Sequence, residues 1–217
     1  YTRFFLLEAG IPFKVEMIDM SDKPAWFLEV HPGGTCPAAK MDGEWVCDSK
    51  LIVARAKEMY VESSAPCKAL VQECSLDWAG LNGSLIGKFF GWMFVNGSET
   101  DQAGAKGGLM DVLGELETHL EGRSLICGED LSEADTLWAP MLGLVSVMLN
   151  EYKGYDLPGR YPNLGGYLAR VHARPLYRRC LGPDFVEVAV NAFDTHPKFA
   201  GKFTRPRITL CIGAGKK

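Results

Sequence analysis

The sequence lacks long hydrophobic runs, an excess of positive charge and internal repeats, and each absence excludes a class of protein. The longest nearly uncharged apolar stretch, Leu137 to Asn150, is shorter than the roughly 20 residues that cross a bilayer, so we expect no transmembrane helix. The net charge is −4, from 23 basic and 27 acidic residues, which gives no global electrostatic support to a nucleic-acid partner. A hydrophobic content of 47% is too high for a disordered chain.

The cysteines lack any spacing that defines a metal site or a disulfide framework. There are seven of them, no Cys-x-x-Cys pair occurs, and the four histidines do not cluster with them. We therefore expect no metal and a reducing intracellular compartment. Because the chain begins with Tyr1 rather than Met, we expect its natural start and any targeting segment to lie upstream.

Two periodicities alternate over residues 1–62 and predict an α/β fold. Helical spacing of apolar residues alternates with strand-like spacing, in the order helix, strand, helix, strand, strand, helix. The dipeptide Asp42-Gly43 is typical of a hairpin turn, and Ser49 is expected to be the N-cap of the last of these helices. The three predicted strands are Phe13–Met17, Cys36–Met41 and Trp45–Cys47.

From Cys67 onward the strand signals vanish and helical patterns predict an all-α half, after a polar linker at residues 62–66. A Ser-x-x-Asp capping box at Ser132 and Asp135 opens the most apolar helix, which should be buried on nearly all sides. The predicted helices are 67–94, 101–121, 132–152, 162–173 and 175–181. We therefore predict a first domain at 1–62, a helical domain at 67–181 and a C-terminal extension at 182–217.

The C-terminal extension is basic on an otherwise acidic protein. Residues 181–217 carry 6 basic and 3 acidic side chains. Two interpretations are open: a contact with an anionic partner, through which the protein joins a larger complex, and a solvated tail.

Four separated motifs together resemble a known family. Cys36-Pro37 before a strand and Asp48-Ser49 after the hairpin resemble the thioredoxin-like, glutathione-binding domain of the glutathione transferases. The capping box of the helical half is similar to that of their second domain. Within the family, the runs Gly10–Phe13 and Asp19–Phe27 are most similar to the dehydroascorbate reductases and the omega-class transferases. The resemblance implies a thioredoxin-like α/β domain followed by an all-α domain.

The resemblance also implies a glutathione site made of Lys23, Cys36, Pro37, Asp48 and Ser49. A cis bond before Pro37 would expose the backbone of Cys36 to an extended peptide ligand. A helix N-terminus at Ser49 suits the carboxylate of the γ-glutamyl group, and Asp48 suits its ammonium group. Lys23 is implied to meet the glycine carboxylate of glutathione. Taken alone, Ser49 would be an ordinary N-cap, Lys23 a solvated surface lysine and Pro37 a trans proline on an edge strand.

Two interpretations of Cys36 itself are open, because relatives usually place an aliphatic residue before the cis proline. In thioredoxin-like folds this position faces the active thiol, so Cys36 could form or resolve a mixed disulfide. The other interpretation is a small, partly buried apolar side chain.

The function implied by the resemblance is glutathione-dependent thiol transfer, in which dehydroascorbate, a small oxidised substrate, is reduced to ascorbate. The family's reactive cysteine lies at the N-terminus of the first helix, which here would place it upstream of Tyr1. The resemblance further implies a location in the chloroplast stroma or the cytosol. The alternative function is a non-catalytic structural subunit of a larger assembly. A third, membrane association like that of the chloride intracellular channel relatives, has no amphipathic segment in its favour.

Overall fold

The computed structural model describes residues 1–20, 22–95, 97–182 and 184–195, without the side chains of Ala192 and Thr195. The first half contains three helices and one β-hairpin, which confirms its predicted α/β character. Its elements are α1 (Thr2–Glu8), α2 (Ala25–Val30), β1 (Ala39–Met41), β2 (Glu44–Val46) and α3 (Ser49–Tyr60).

The predicted hairpin forms around Asp42-Gly43. Both residues have positive φ angles, 48° and 87°, as the two central residues of a type I′ turn require. The strands pair antiparallel, with Ala39 opposite Val46. The open end of the hairpin therefore lies next to the residues that precede Ala39 and follow Val46.

The predicted strand at Phe13–Met17 is wrong as a paired strand. Among the described residues, only β1 and β2 pair in a sheet, and Phe13–Met17 carries no strand assignment. Val15 and Met17 are 51% and 83% exposed. Alternation of apolar residues shows that a segment suits a pleated surface, but a strand also needs a neighbour to hydrogen-bond with.

The second half is helical, as predicted, but the helix expected at 67–94 is two helices. Ser64 caps the first of them, and Asp77 caps the second by accepting a hydrogen bond from the Gly80 backbone N–H at 3.0 Å. A new helix therefore begins at Trp78 after a non-helical segment at 71–77. The helices are α4 (Ala65–Leu70), α5 (Trp78–Phe94), α6 (Glu99–His119), α7 (Glu133–Lys153), α8 (Leu157–Arg160), α9 (Pro162–Ala173), α10 (Pro175–Leu181) and α11 (Phe185–Thr195).

Helix α7 is the centre of the helical half. The predicted capping box is present: Asp135 accepts hydrogen bonds from the backbone N–H and the hydroxyl of Ser132, at 2.8 and 2.6 Å. Trp138 is fully buried, and its indole N–H donates to the Trp78 carbonyl at 3.0 Å. The predicted burial of this helix is confirmed by eleven buried residues along it.

Among the described residues, two ion pairs join the halves. Glu8 on α1 binds Arg174, at the start of α10, through two hydrogen bonds of 2.9 and 2.8 Å. Lys57 on α3 donates to Glu133 on α7 at 2.6 Å. Helix α1 also packs against α3, α7 and α10, so it is the first half's main contact with the second.

The C-terminal extension begins with a packed helix rather than a solvated segment. Val190 and Phe193 of α11 are 7% and 8% exposed and belong to the core of the helical half, and Tyr152 donates a hydrogen bond to Asp194 at 2.7 Å. Residues 196–217, which carry the basic excess, lie outside the described residues. None of the described helices is long and apolar enough to cross a membrane.

Candidate glutathione site

The hairpin brings two of the predicted motifs to one end. The ladder ends at the pair Ala39 and Val46; Pro37 lies two residues before Ala39 and Asp48 two residues after Val46, so Cys36-Pro37 and Asp48-Ser49 both flank the open end of the hairpin. The Cys36-Pro37 peptide bond is cis. Since directly opposed residues of an antiparallel pair lie about 5 Å apart, the chain enters β1 and leaves β2 at neighbouring points, next to these two motifs.

Asp48, and not Ser49, is the N-cap of α3. The Oδ1 atom of Asp48 accepts from the backbone N–H groups of Lys50 at 2.8 Å and Leu51 at 3.1 Å. Ser49 is therefore the first helical residue, and the expectation that it would be the cap is wrong. Both residues are good caps, and Asp48 takes the position because the chain is still extended there, at φ −159° and ψ 137°.

This arrangement leaves polar groups available. Within the part of the chain that the structure describes, the second carboxylate oxygen of Asp48 accepts no hydrogen bond, and the Ser49 hydroxyl has no hydrogen-bond partner. The Ser49 backbone N–H also lies in the first turn of α3, where N–H groups have no partner within the helix. An acceptor for a cation and donors for an anion therefore lie next to each other.

Lys23 reaches the same end of the hairpin through the turn that precedes Cys36. Gly34 has a φ of +59°, and a Cβ atom built on it would lie 3.3 Å from the Lys23 ammonium nitrogen. The Lys23 side chain thus lies over this turn. Among the described residues Lys23 takes part in none of the ion pairs, so its charge is not neutralised by a neighbouring carboxylate.

Cys36 is exposed, so its interpretation as a partly buried apolar side chain is wrong. Its thiol lies 3.5 Å from the thioether sulfur of Met20, which is itself 49% exposed. The sequence argument did not identify Met20 or Gly34 as neighbours of the site. The pair Gly33-Gly34 was a signal for a tight turn there, but no pattern pointed to Met20.

Tyr1 contacts the helical half beside this site. Its hydroxyl donates to Glu133 at 2.9 Å, the carboxylate that also binds Lys57. Burial raises the pKa of Tyr1, and the carboxylates of Glu133 and Asp48 raise it further. The phenol is therefore protonated at physiological pH and is fixed as a hydrogen-bond donor between the halves.

A small α/β half with a cis proline before a hairpin, joined to a larger all-helical half, defines a class of thioredoxin-like proteins with a helical second domain. Models of the glutathione S-transferase N-terminal and C-terminal domains match residues 2–59 and 99–170. The chain therefore belongs to the glutathione S-transferase family, and its fold is that of the family.

Individual relatives agree with this assignment. Glutathione S-transferase DHAR2 of Arabidopsis thaliana is 30% identical over 186 residues, which cover 85% of this chain and 83% of the relative. The crystal structure of dehydroascorbate reductase from Chlamydomonas reinhardtii matches with a TM-score of 0.75 and 27% identity, covering 90% of this chain and 87% of that one. A sphingomonad glutathione S-transferase complexed with glutathione matches with a TM-score of 0.62 and 27% identity, covering 83% and 90%. Other relatives are named as chloroplastic or cytosolic proteins.

Proposed function

We propose that this protein is a glutathione-dependent thiol transferase of the dehydroascorbate reductase type. The observation that carries the proposal is a set of groups at the open end of the hairpin that have no partner among the described residues: the second Asp48 carboxylate oxygen, the Ser49 hydroxyl and the Lys23 ammonium. Glutathione has an ammonium and a carboxylate group at its γ-glutamyl end and a second carboxylate at its glycine end. Each of these charges finds one complementary group, and Cys36 and Pro37 would pair with the cysteinyl backbone between them.

The proposed reaction needs a thiolate, which we place upstream of Tyr1. Its sulfur would bond to a carbonyl carbon of dehydroascorbate. The thiolate of a bound glutathione would then attack that sulfur, and the electrons of the broken carbon–sulfur bond would reduce the substrate, which takes up protons and leaves as ascorbate. A second glutathione would attack the glutathione sulfur of the mixed disulfide, free the enzyme thiolate and leave as oxidised glutathione. Two glutathione molecules supply the two electrons.

In this proposal, the residues of the hairpin end bind glutathione and do not react. A fixed glutathione thiol beside the substrate gives the second step the advantage of an intramolecular reaction. Tyr1 takes no part in proton transfer, because its hydroxyl already donates to Glu133.

We also propose a reducing compartment, either the chloroplast stroma or the cytosol. Its support is that the six described cysteines are all free and that relatives are named for both locations. Imaging a fluorescent fusion of the full natural chain in plant cells distinguishes the two, and accumulation in a secretory compartment would contradict both.

The test of the proposed reaction uses the protein with its natural N-terminus. We expect glutathione-dependent reduction of dehydroascorbate, followed by ascorbate absorbance, and an apparent KM for glutathione at least tenfold higher in Asp48→Ala. An unchanged KM would remove Asp48 from the site. The residues encoded upstream of Tyr1 are a second check: a Cys-Pro-x-Cys or Cys-Pro-x-Ser motif supports the enzyme, and its absence supports the alternative of a structural subunit.

That alternative, a non-catalytic subunit held in a larger complex by the basic C-terminal extension, stays a prediction. All six basic residues that motivate it lie in 196–217, outside the described residues, while the described part of the extension packs on its own helical half.

A further inference from the structure

Two cysteines outside the glutathione site lie beside each other. Cys74 is in the segment 71–77 that leads from α4 to α5, and Cys127 is in the loop between α6 and α7. The Cys74 thiol donates a hydrogen bond to the carbonyl of Ile126, the residue before Cys127, at 3.6 Å. The Cys74 thiol is close enough to affect the titration of Cys127, both are free thiols, and both are partly exposed.

The loop that carries Cys127 is anchored by residues of α6 and α7, the helices on either side of it. Asp135, which is fully buried, accepts the Ile126 backbone N–H at 2.9 Å. The Ile126 carbonyl oxygen lies 2.7 Å from Nε2 of His119, and Ser132 contacts the Cys127 thiol. The backbone that leads into Cys127 is therefore held next to Cys74.

The segment that carries Cys74 is anchored to the same region. The amide of Gln72 donates to the carbonyl of Leu131, just before α7, at 3.1 Å. With both backbones fixed, each thiol meets the other at a high effective concentration, as in other intramolecular reactions. Among the remaining described cysteines, Cys67 is buried and Cys36 lies at the end of the hairpin.

We propose that Cys74 and Cys127 form a reversible disulfide by exchange with a small-molecule disulfide such as oxidised glutathione. The Cys74 thiolate attacks one sulfur of the reagent, which releases one glutathione thiolate and leaves a mixed disulfide on Cys74. The Cys127 sulfur then attacks the Cys74 sulfur and displaces the second glutathione. Two protein thiols lose two electrons and two protons, and two glutathione molecules gain them.

The order of these steps follows from the surroundings of Cys127. Cys74 lies between the exposed residues Glu73 and Ser75, whereas Cys127 directly follows the buried residues Leu125 and Ile126, and burial raises the pKa of the Cys127 thiol. We therefore expect glutathione to attach first to Cys74. The bond would tie the segment 71–77, between α4 and α5, to the loop between α6 and α7. The inference does not need the proposed glutathione site, because the exchange uses only these two thiols and the reagent.

The test is peptide mapping of the full protein after incubation with oxidised glutathione, blocking of free thiols and digestion with trypsin. Cleavage after Lys68, Lys88, Arg123 and Lys153 puts Cys74 alone in peptide 69–88 and Cys127 alone in peptide 124–153. We expect these two peptides to be disulfide-linked, and dithiothreitol to restore both thiols. Failure of the pair to link, or an equal yield of links to other cysteines, would overturn the proposal.

Single variants test the order of attack. Cys127→Ser should accumulate a glutathione adduct on Cys74, while Cys74→Ser should accumulate several-fold less on Cys127, and neither should form the linked peptides. Cys180→Ser is the matched control and should form them as the wild type does. Hydroxyethyl disulfide in place of oxidised glutathione should give the same link, which separates this result from any failure of the glutathione site.

Discussion

Asp135 should be one of the most sensitive positions for stability, because its carboxylate is buried and accepts three hydrogen bonds. An exposed copy of the same motif at the start of α6 provides a control. The fully buried carboxylate of Asp135 accepts the backbone N–H groups of Ile126 and Ser132 and the Ser132 hydroxyl, at 2.9, 2.8 and 2.6 Å. Asp135→Ala leaves two buried N–H donors without acceptors, and each such group costs about 1–3 kcal/mol. We expect a loss of about 3–5 kcal/mol, a large share of the 5–15 kcal/mol of a typical domain.

The control is the capping box at the start of α6. Asp101 accepts the backbone N–H and the hydroxyl of Ser98 at 2.9 and 2.8 Å, but both residues are exposed. Water can replace the lost acceptor there, so Asp101→Ala should cost about 1 kcal/mol, as for an ordinary cap. Urea unfolding followed by circular dichroism measures both. Equal losses in the two variants would refute the argument that burial sets the cost.

The pH dependence of the stability difference between wild type and Asp135→Ala tests the direction of the Asp135 pKa shift. Burial raises the pKa of Asp135 above its ordinary 3.8, so the folded state keeps this proton to a higher pH than the unfolded state. The stability that the wild type owes to Asp135 therefore falls as the pH rises from 3.8 through the folded value. The difference between wild type and Asp135→Ala should be smaller at pH 7 than at pH 4, and the reverse trend would contradict the raised pKa.

Two further predictions concern the junction and the site. The Glu8 side chain is 7% exposed and its partner Arg174 is 39% exposed, so Glu8→Ala should cost about 1–3 kcal/mol, less than for a fully buried pair. In contrast, Glu58→Ala, which removes one of the two exposed partners of Arg55, should cost under about 0.5 kcal/mol; similar losses for the two variants in urea unfolding would contradict this. Cys36 is the exposed thiol among the six described cysteines, so iodoacetamide should label it first of these, and glutathione should slow that labelling. Peptide mapping that shows equal labelling rates, or no protection, would remove Cys36 from the glutathione site.

The elements that the sequence predicted well are those fixed by local chemistry. The Asp42-Gly43 turn needs positive φ at two adjacent residues, and few dipeptides supply this. The box at Ser132 and Asp135 marks the start of α7 within one residue. Helices α9 and α10, predicted at 162–173 and 175–181, have those bounds in the structure, because a proline opens each.

The elements that the sequence predicted wrongly depend on distant pairing partners or on a choice between two adjacent residues of similar capping strength. The segment Phe13–Met17 has a strand pattern, but pairing is a non-local property that the pattern cannot supply. Asp48 and Ser49 are adjacent cap residues of similar strength, and the backbone direction at the end of the hairpin decides between them. Helix α11 was not predicted, because the C-terminal extension was interpreted from its net charge and not from the apolar residues that pack on the helical half.

The site was predictable residue by residue only through the family resemblance. No local pattern marks Lys23 as a ligand-binding residue, since its position depends on its packing over Gly34. The neighbour of Cys36, Met20, is a contact across a loop. The hairpin register, which brings Cys36-Pro37 and Asp48-Ser49 to the same end of the hairpin, was implicit in the turn, since a turn of known type fixes the pairing of its two strands.

The central claim, that the open end of the hairpin binds glutathione, is tested most directly by calorimetric titration of glutathione into wild type, Asp48→Asn and Asp42→Asn. Asparagine caps helices as well as aspartate does, so Asp48→Asn keeps α3 intact and removes only the charge that would attract the ammonium group. Asp42 lies at the other end of the hairpin, and asparagine tolerates its positive φ. We predict a Kd at least tenfold higher for Asp48→Asn, about 1.4 kcal/mol, and an unchanged Kd for Asp42→Asn. Equal affinity in all three proteins, or no binding to the wild type, would contradict the claim.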